Sequence, residues 1–261
     1  MRLFESKLWR LIGTAVSFTL FGCMAVVISI SLAIALTIAP IKKKVKHNVT
    51  RHCIMLAARF YLGCLRGLGV LQIKFENMHL INQPGTLIIA NHPTLLDAVL
   101  LMSVMPHANF VIKASVSDNP FISIIVSLAG YIPNNETGIA LVKRASSALK
   151  NGETVMIFPE GTRTDFTQGM NFKRSAANIA IQADCLILPI IISCEPITLR
   201  KHEPWYSIPS RRPLFHLRAL TPVRAKDCID VTKPLGTQAR ELNAFLQNQI
   251  AKSFNDNGKP L

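Results

Sequence analysis

A histidine and an aspartate stand five residues apart in the segment NHPTLLD, which occupies residues 91–97. The segment follows the apolar run TLIIA and precedes an apolar stretch of helical pattern, so a strand is predicted to pass into a helix here. An aspartate on the first turn of that helix can direct its carboxylate back toward the imidazole. We therefore predict that His92 is a general base oriented by Asp97, although this spacing alone is common by chance.

A second polar segment, FPEGTR at residues 158–163, also follows an apolar run that is typical of a strand. Gly161 permits a tight turn there, and Arg163 offers several planar donors that suit a phosphate group. A local ion pair between Glu160 and Arg163 is the alternative. Thr162 is expected to hydrogen-bond locally or to contact the substrate.

Two apolar segments complete the pattern: GYIP at residues 130–133 and LPII at residues 188–191. In this order the four segments resemble the glycerolipid acyltransferase family over residues 86–193. NHPTLLD matches the family's Asn-His-x-x-x-x-Asp motif, FPEGTR matches its Phe-Pro-Glu-Gly-Thr-Arg motif, and LPIII is similar to its final strand. The resemblance implies that His92 and Asp97 are catalytic and that substrate is bound by Asn91, Glu160, Gly161, Thr162, Arg163, Gly130 and Lys143.

The chain departs from the family pattern after the GYIP segment. Many members carry an aspartate and an arginine where this chain has Asn135 and Glu136, and the arginine is implicated in holding the acceptor's phosphate. A glutamate repels a phosphate at short range. Lys143 and Arg144 in the next predicted helix could compensate. Otherwise the acceptor is a lyso-lipid with another head group, such as an amino-acid lipid or a glycolipid.

The resemblance implies an O-acyltransferase similar to 1-acylglycerol-3-phosphate O-acyltransferase. It would move a fatty acyl group from a thioester of coenzyme A or acyl carrier protein to the hydroxyl of a lysophospholipid or related lyso-lipid. Transfer would be direct, because the chain has no G-x-S-x-G nucleophile motif. The alternative is a lipid-binding membrane protein of the same fold with weak or no turnover.

Metal and redox chemistry find no support in the sequence. The six cysteines form no C-x-x-C pair, and neither they nor the seven histidines have zinc-type spacing, so we expect no metal and no cofactor. The net charge is +14, but the densest basic cluster follows an apolar segment and is not interleaved with aromatic residues. We therefore expect a lipid bilayer as the partner and no nucleic acid.

The apolar segment itself, residues 11–40, carries no charged residue and exceeds the roughly 20 residues that cross a bilayer as a helix. It is too long for the apolar core of a signal peptide, which is the competing interpretation. The lysines at residues 42–46 predict that the long C-terminal part of the chain stays in the cytoplasm, at the bacterial inner membrane. Since both flanks are basic, a single span and a helical hairpin in one leaflet both remain open.

The remainder of the chain alternates apolar, β-rich runs with helical patterns. This alternation predicts an α/β fold with a mixed central sheet flanked by helices, preceded by the membrane helix or hairpin. We expect an N-terminal membrane anchor with basic flanks over residues 1–52, an interfacial helix over residues 53–70, and an α/β acyltransferase domain over residues 71–261. An ordinary core helix is the alternative for residues 53–70.

Overall fold

The computed structural model describes residues 6–113, 120–134 and 138–257. Its centre is an eight-stranded sheet, which confirms the predicted α/β class. The strands are β1 (Gln72–Glu76), β2 (Thr86–Ala90), β3 (Asn109–Lys113), β4 (Ile132–Asn134), β5 (Val155–Ile157), β6 (Leu186–Glu195), β7 (Leu214–Ala219) and β8 (Val223–Arg224). Their order is β1-β7-β6-β2-β5-β3-β4, and β8 pairs with β6.

The sheet is mixed, with a parallel centre. β2 runs parallel to both of its neighbours, β5 and β6, while β6 is antiparallel to β7 and β8. Every residue of β2 is buried, because helices cover both faces of the sheet. Its side chains alternate between two cores: Leu87 and Ile89 pack on one face, Ile88 and Ala90 on the other.

Seven α-helices surround the sheet in the described ranges: α1 (Lys7–Ile38), α2 (Lys43–Gly67), α3 (Asp97–Met102), α4 (Pro120–Ala129), α5 (Gly138–Lys150), α6 (Ser175–Ala183) and α7 (Leu235–Asn257). The helical patterns of the sequence predict helices over residues 95–105, 120–129, 138–150, 173–183 and 237–254, and the helices α3 to α7 agree with these ranges to within a few residues at their ends. The segment between β6 and β7, residues 196–213, contains no helix or strand. This agrees with the loop predicted for residues 201–213 from their proline, arginine and histidine content.

The two N-terminal helices form an antiparallel pair. Phe21 of α1 lies against Tyr61 of α2 with ring centroids 5.3 Å apart, and the Lys46 ammonium donates to the Leu36 carbonyl at 2.5 Å. The predicted boundary between residues 52 and 53 falls inside α2. No proline interrupts the chain between Lys43 and Gly67, so the basic cluster and the predicted interfacial segment share one helix.

The polarity of α1 is the reverse of that of a helix on a water-soluble protein. Its buried side chains include Arg10, Thr14 and Ser17. Its exposed side chains are largely apolar: Leu8, Ile12, Val16, Phe21, Val27, Ile30, Ile34 and Ile38. Residues 7–36 form one helix long and apolar enough to cross a bilayer, and only 11% of its most apolar window is buried.

Candidate active site

His92 and Asp97 meet where β2 ends and α3 begins. The His92 Nδ1 lies 2.7 Å from the Asp97 Oδ2, and the carboxylate is completely buried while 19% of the imidazole is exposed. Nδ1–H therefore donates to the carboxylate when the imidazole is neutral. No other residue in the described ranges hydrogen-bonds the ring, so Nε2 is the nitrogen with a lone pair available to take a proton.

Thr94 donates two further hydrogen bonds to the Asp97 carboxylate. The Thr94 backbone N–H donates to Oδ2 at 2.6 Å, and its hydroxyl donates to Oδ1 at 2.6 Å. Burial raises the pKa of Asp97, and the hydrogen bonds from His92 and Thr94 act against that rise. The sequence prediction did not include Thr94, although T-x-x-D is the signature of a helix capping box and could have identified it.

Phe158 stacks against one face of the His92 imidazole. Its ring lies nearly parallel to that of His92, with the centroids 4.1 Å apart and the planes 17° apart. Phe158 directly follows β5, which neighbours β2 in the sheet, so the first residue of FPEGTR reaches the histidine across two adjacent strand ends. With Nδ1 bonded to Asp97 and one ring face covered, the orientation of the imidazole is fixed.

Glu160 joins the FPEGTR turn to the backbone of His92. Its Oε1 accepts hydrogen bonds from the His92 N–H at 3.0 Å and from the Thr164 hydroxyl at 2.8 Å, and the Thr164 N–H donates to the His92 carbonyl at 2.7 Å. Burial raises the pKa of Glu160, and the bonds from Thr164 and His92 oppose the rise. Because only 7% of Glu160 is exposed, it positions His92; Thr164 was missed by the sequence prediction.

Arg163 forms no ion pair with Glu160. Its guanidinium instead donates to the backbone carbonyls of Leu199 at 3.1 Å and Arg200 at 2.8 Å. The alternative of a local ion pair is therefore wrong. The remaining N–H groups of this half-buried side chain can still meet a substrate.

The FPEGTR segment forms the tight turn that Gly161 predicts. Gly161 has φ +69°, a left-handed conformation that glycine adopts freely. A side-chain carbon at that position would lie 3.0 Å from the ammonium of Lys173, so this lysine, which the sequence prediction did not include, stands over the turn. Thr162 is exposed beside it.

Three predicted substrate residues lie elsewhere. Asn91 is completely buried: its amide donates to the Ile192 carbonyl and accepts from the Ile192 N–H, both at 2.8 Å, so it cannot contact substrate. Gly130 precedes β4, the edge strand that lies three strands away from β2, and a side chain at Gly130 would overlap the His47 ring. Lys143 is exposed on α5, and its ammonium makes no hydrogen bond or ion pair within the described ranges.

The Asn135 and Glu136 departure lies outside the residues that the structure describes. Gly130 belongs to the same segment and lies within the described ranges. The parallel register of β2, β5, β3 and β4 places Ile132 level with Ile89, near the end of β2. Gly130 stands two residues before Ile132 and three strands away from β2, so it does not reach His92.

A narrow apolar cavity lies between α1 and the NHPTLLD segment. One wall comes from α1, including Arg10 and Phe18, and the other includes Leu96, the residue before Asp97. Trp205 and Leu199 of the β6–β7 loop also line it. The cavity thus lies between the apolar helix and the residue that precedes Asp97.

Comparison with known proteins agrees with the motifs. Residues 72–193 match the model of the Acyltransferase family. The chloroplastic 1-acyl-sn-glycerol-3-phosphate acyltransferase of Arabidopsis thaliana is 26% identical over 187 residues, which cover 66% of this chain and 50% of that protein. The corresponding enzyme of Borreliella burgdorferi is 24% identical over 196 residues, or 73% of each chain. These matches confirm the resemblance to the glycerolipid acyltransferase family.

The match of this chain to the plant relative spans half of that protein, and its match to the mouse alpha enzyme, 31% identical over 142 residues, spans 49%. Its fold is shared by the crystal structure of the 1-acyl-sn-glycerophosphate acyltransferase PlsC from Thermotoga maritima. That likeness has a TM-score of 0.72 at 18% identity and covers 96% of this chain and 98% of the other.

Proposed function

We propose that this protein transfers a fatty acyl group from a thioester to the hydroxyl of a lyso-lipid, in the manner of a 1-acylglycerol-3-phosphate O-acyltransferase. The observation that carries the proposal is the 2.7 Å bond between His92 Nδ1 and a fully buried Asp97 carboxylate within the family's motif. Buried acid partners of this kind set the tautomer of a histidine base.

In the proposed reaction, Nε2 of neutral His92 takes the proton of the acceptor hydroxyl as its oxygen attacks the thioester carbonyl carbon. Asp97 stabilises the imidazolium that forms. When the tetrahedral intermediate collapses, the carbon–sulfur bond breaks and the thiolate leaves, taking the proton back from Nε2. An ester and a free thiol result, and His92 is neutral again. No covalent enzyme intermediate and no cofactor are needed.

The acceptor we favour carries a phosphate, as the names of the relatives state for those enzymes. Lys173 over the Gly161 turn and the remaining donors of Arg163 provide positive charge beside His92. An acceptor with another head group is the competing proposal, because Glu136 replaces the family's arginine. The donor we propose is a fatty acyl thioester of coenzyme A or acyl carrier protein, both of which are anionic and suit the net charge of +14.

We further propose that the protein acts at the bacterial inner membrane with its α/β domain on the cytoplasmic side. The exposed apolar face of α1 supports lipid contact, and a second exposed apolar stripe runs along α2 through Val45, Val49, Leu56 and Phe60. The lysines between the helices support a cytoplasmic orientation.

The test is an acyl-transfer assay on the purified full chain in detergent, with acyl-coenzyme A or acyl carrier protein thioesters and a panel of lyso-lipids. His92→Ala should lower turnover by about 100-fold to 10,000-fold without unfolding the protein, as expected for a lost general base. Exposed His79→Ala is the matched control and should retain full activity. Substantial turnover by folded His92→Ala would refute the mechanism, and lipid binding without turnover by the unaltered chain would favour a binding protein.

A further inference from the structure

The loop over residues 196–213 joins β6 to β7, and its two ends contact different parts of the molecule. Leu199 near its start is buried and has φ +55°, a left-handed conformation that is uncommon for a large side chain. Such a backbone persists only where the surroundings hold it. Here the surroundings are the two catalytic motifs on one side and helix α1 on the other.

The catalytic motifs hold the start of the loop. The Leu199 carbonyl accepts a hydrogen bond from the Leu95 N–H at 3.1 Å, inside the NHPTLLD segment. The same carbonyl and that of Arg200 accept from Arg163. Since Leu95 lies between His92 and Asp97, displacement of Leu199 would disturb the turn that brings those two residues together.

Helix α1 holds the end of the loop. The Arg10 guanidinium Nη2 donates to the carbonyls of Pro209 and Ser210, both at 2.9 Å. The rings of Phe18 and Trp205 form a second contact, with centroids 5.9 Å apart. Contacts between α1 and this loop therefore join residues that are about two hundred positions apart in the sequence.

The burial of Arg10 sets it apart from the basic residues that flank membrane helices. Only 2% of Arg10 is exposed, whereas Lys7, one turn earlier on the same helix, is exposed. Burying a guanidinium is costly unless its donors are satisfied, and the two loop carbonyls satisfy part of that requirement. A charge that served only to orient the helix in the membrane would lie in water or among head groups, as Lys7 can.

We propose that Arg10 is a positioning residue for acyl transfer: by binding the Pro209 and Ser210 carbonyls it holds the 196–213 loop against the catalytic motifs. Helix α1 is then part of the active-site assembly as well as a membrane anchor. The cavity supports this role, because Arg10 and Leu199 both line it. The catalytic consequence rests on the proposed function, whereas the loop attachment does not.

The test compares Arg10→Met with Lys7→Met in the full chain in detergent, where attachment to a bilayer no longer matters. Both variants lose one positive charge from the first turns of α1. Trypsin can cut the loop after the partly exposed Arg200, Lys201 and Arg211, so its cleavage rate reports how firmly the loop is held. Circular dichroism and thermal melting check that each variant is folded.

Trypsin should cleave the loop of Arg10→Met roughly 10-fold faster than that of the unaltered chain. The kcat of this variant should fall roughly 10-fold to 100-fold, with a smaller change in KM for the donor, as expected for misplaced catalytic groups. Lys7→Met should behave as the unaltered chain. Arg10→Lys keeps the positive charge and an ammonium that can donate to one of the two carbonyls. Its cleavage rate and kcat should therefore lie between those of Arg10→Met and the unaltered chain. If Arg10→Met does not fold, Trp205→Leu weakens the second contact and should show the same pairing of faster cleavage with lower kcat.

Equal cleavage and kcat in Arg10→Met and Lys7→Met would overturn the proposal, and so would faster cleavage with unchanged kcat. If the unaltered chain transfers no acyl group with any donor, the proposed function fails while the cleavage comparison still decides whether Arg10 holds the loop. The two failures are therefore distinguishable.

Discussion

His92 can serve as a base only when its proton sits on Nδ1, and the residues around it enforce that arrangement. Asp97 accepts from Nδ1, while both of its oxygens also accept from Thr94, so the carboxylate cannot rotate away. Glu160 and Thr164 bind the His92 backbone. The proposed base is thus held through its ring and its main chain independently, which lowers the reorganisation needed during reaction.

The buried Glu160 carboxyl should make stability depend on pH. Burial raises its folded-state pKa above the ordinary 4.5, so the unfolded chain releases this proton more readily than the folded one. The free energy of unfolding of the wild-type protein therefore decreases, relative to that of Glu160→Gln, as pH rises through the raised pKa of Glu160. The difference in Tm, Gln variant minus wild type, should be larger at about pH 8 than at about pH 4.

Thermal melts of the full chain in detergent measure this difference, with the more exposed Glu241→Gln as the control. The glutamine can still accept from the His92 N–H, so its packing is matched. A difference in Tm that stays constant or shrinks as pH rises would mean that the hydrogen bonds from Thr164 and His92 outweigh burial.

At the scale of elements, adjacent strand ends bring the site together. β2 and β5 are neighbours and end beside each other, so NHPTLLD and FPEGTR meet although they lie 68 positions apart. Asn91 continues the pairing of β2 with β6 by one step through its side-chain amide. The backbone is therefore still anchored to the sheet at the residue before His92.

Replacing Asn91 should affect stability far more than substrate affinity. Asn91→Leu leaves the Ile192 N–H and carbonyl buried without partners, at about 1–3 kcal/mol for each group. A loss of about 3 kcal/mol lowers Tm by about 6–12 °C in a protein of this size. Exposed Asn82→Leu is the control and should leave Tm nearly unchanged. An altered KM for the acceptor with an unchanged Tm would instead restore a substrate role to Asn91.

The strands and the contact between His92 and Asp97 could be predicted because their signals are local. Continuous apolar runs indicate buried strands, and the spacing of His92 and Asp97 lies within one strand-to-helix junction. Strand order is not a local property, so the placement of Gly130 at the far edge could not be predicted. Asn91 was misassigned because a polar residue at a strand end is equally typical of a binding site and of a backbone clamp. Phe158 and Thr164 reach His92 only through the sheet order.

At the scale of the whole molecule, apolar surface is concentrated on the two N-terminal helices while the chain carries a net charge of +14. The inner face of α1 carries Arg10, Thr14 and Ser17 toward the catalytic domain, and the outer face carries aliphatic side chains. Such an arrangement is stable when the outer face meets lipid and the inner face meets protein. Helix α1 is thus packed against the α/β domain through this inner face.

Acidic substitutions on the outer face of α1 should weaken membrane binding and spare catalysis. Ile30 and Ile34 are 51% and 59% exposed on neighbouring turns, and neither lines the cavity beside the catalytic motifs. Each change to aspartate costs about 3 kcal/mol or more if the position lies near the bilayer centre. The Ile30→Asp/Ile34→Asp double variant should therefore float poorly with vesicles of neutral phospholipid, yet retain acyl transfer in detergent.

The control places aspartates at Ile139 and Val231, which are 82% and 58% exposed outside the two N-terminal helices. Equal flotation of both double variants would mean that this face of α1 does not contact lipid, and the apolar stripe of α2 would then be the surface to test next.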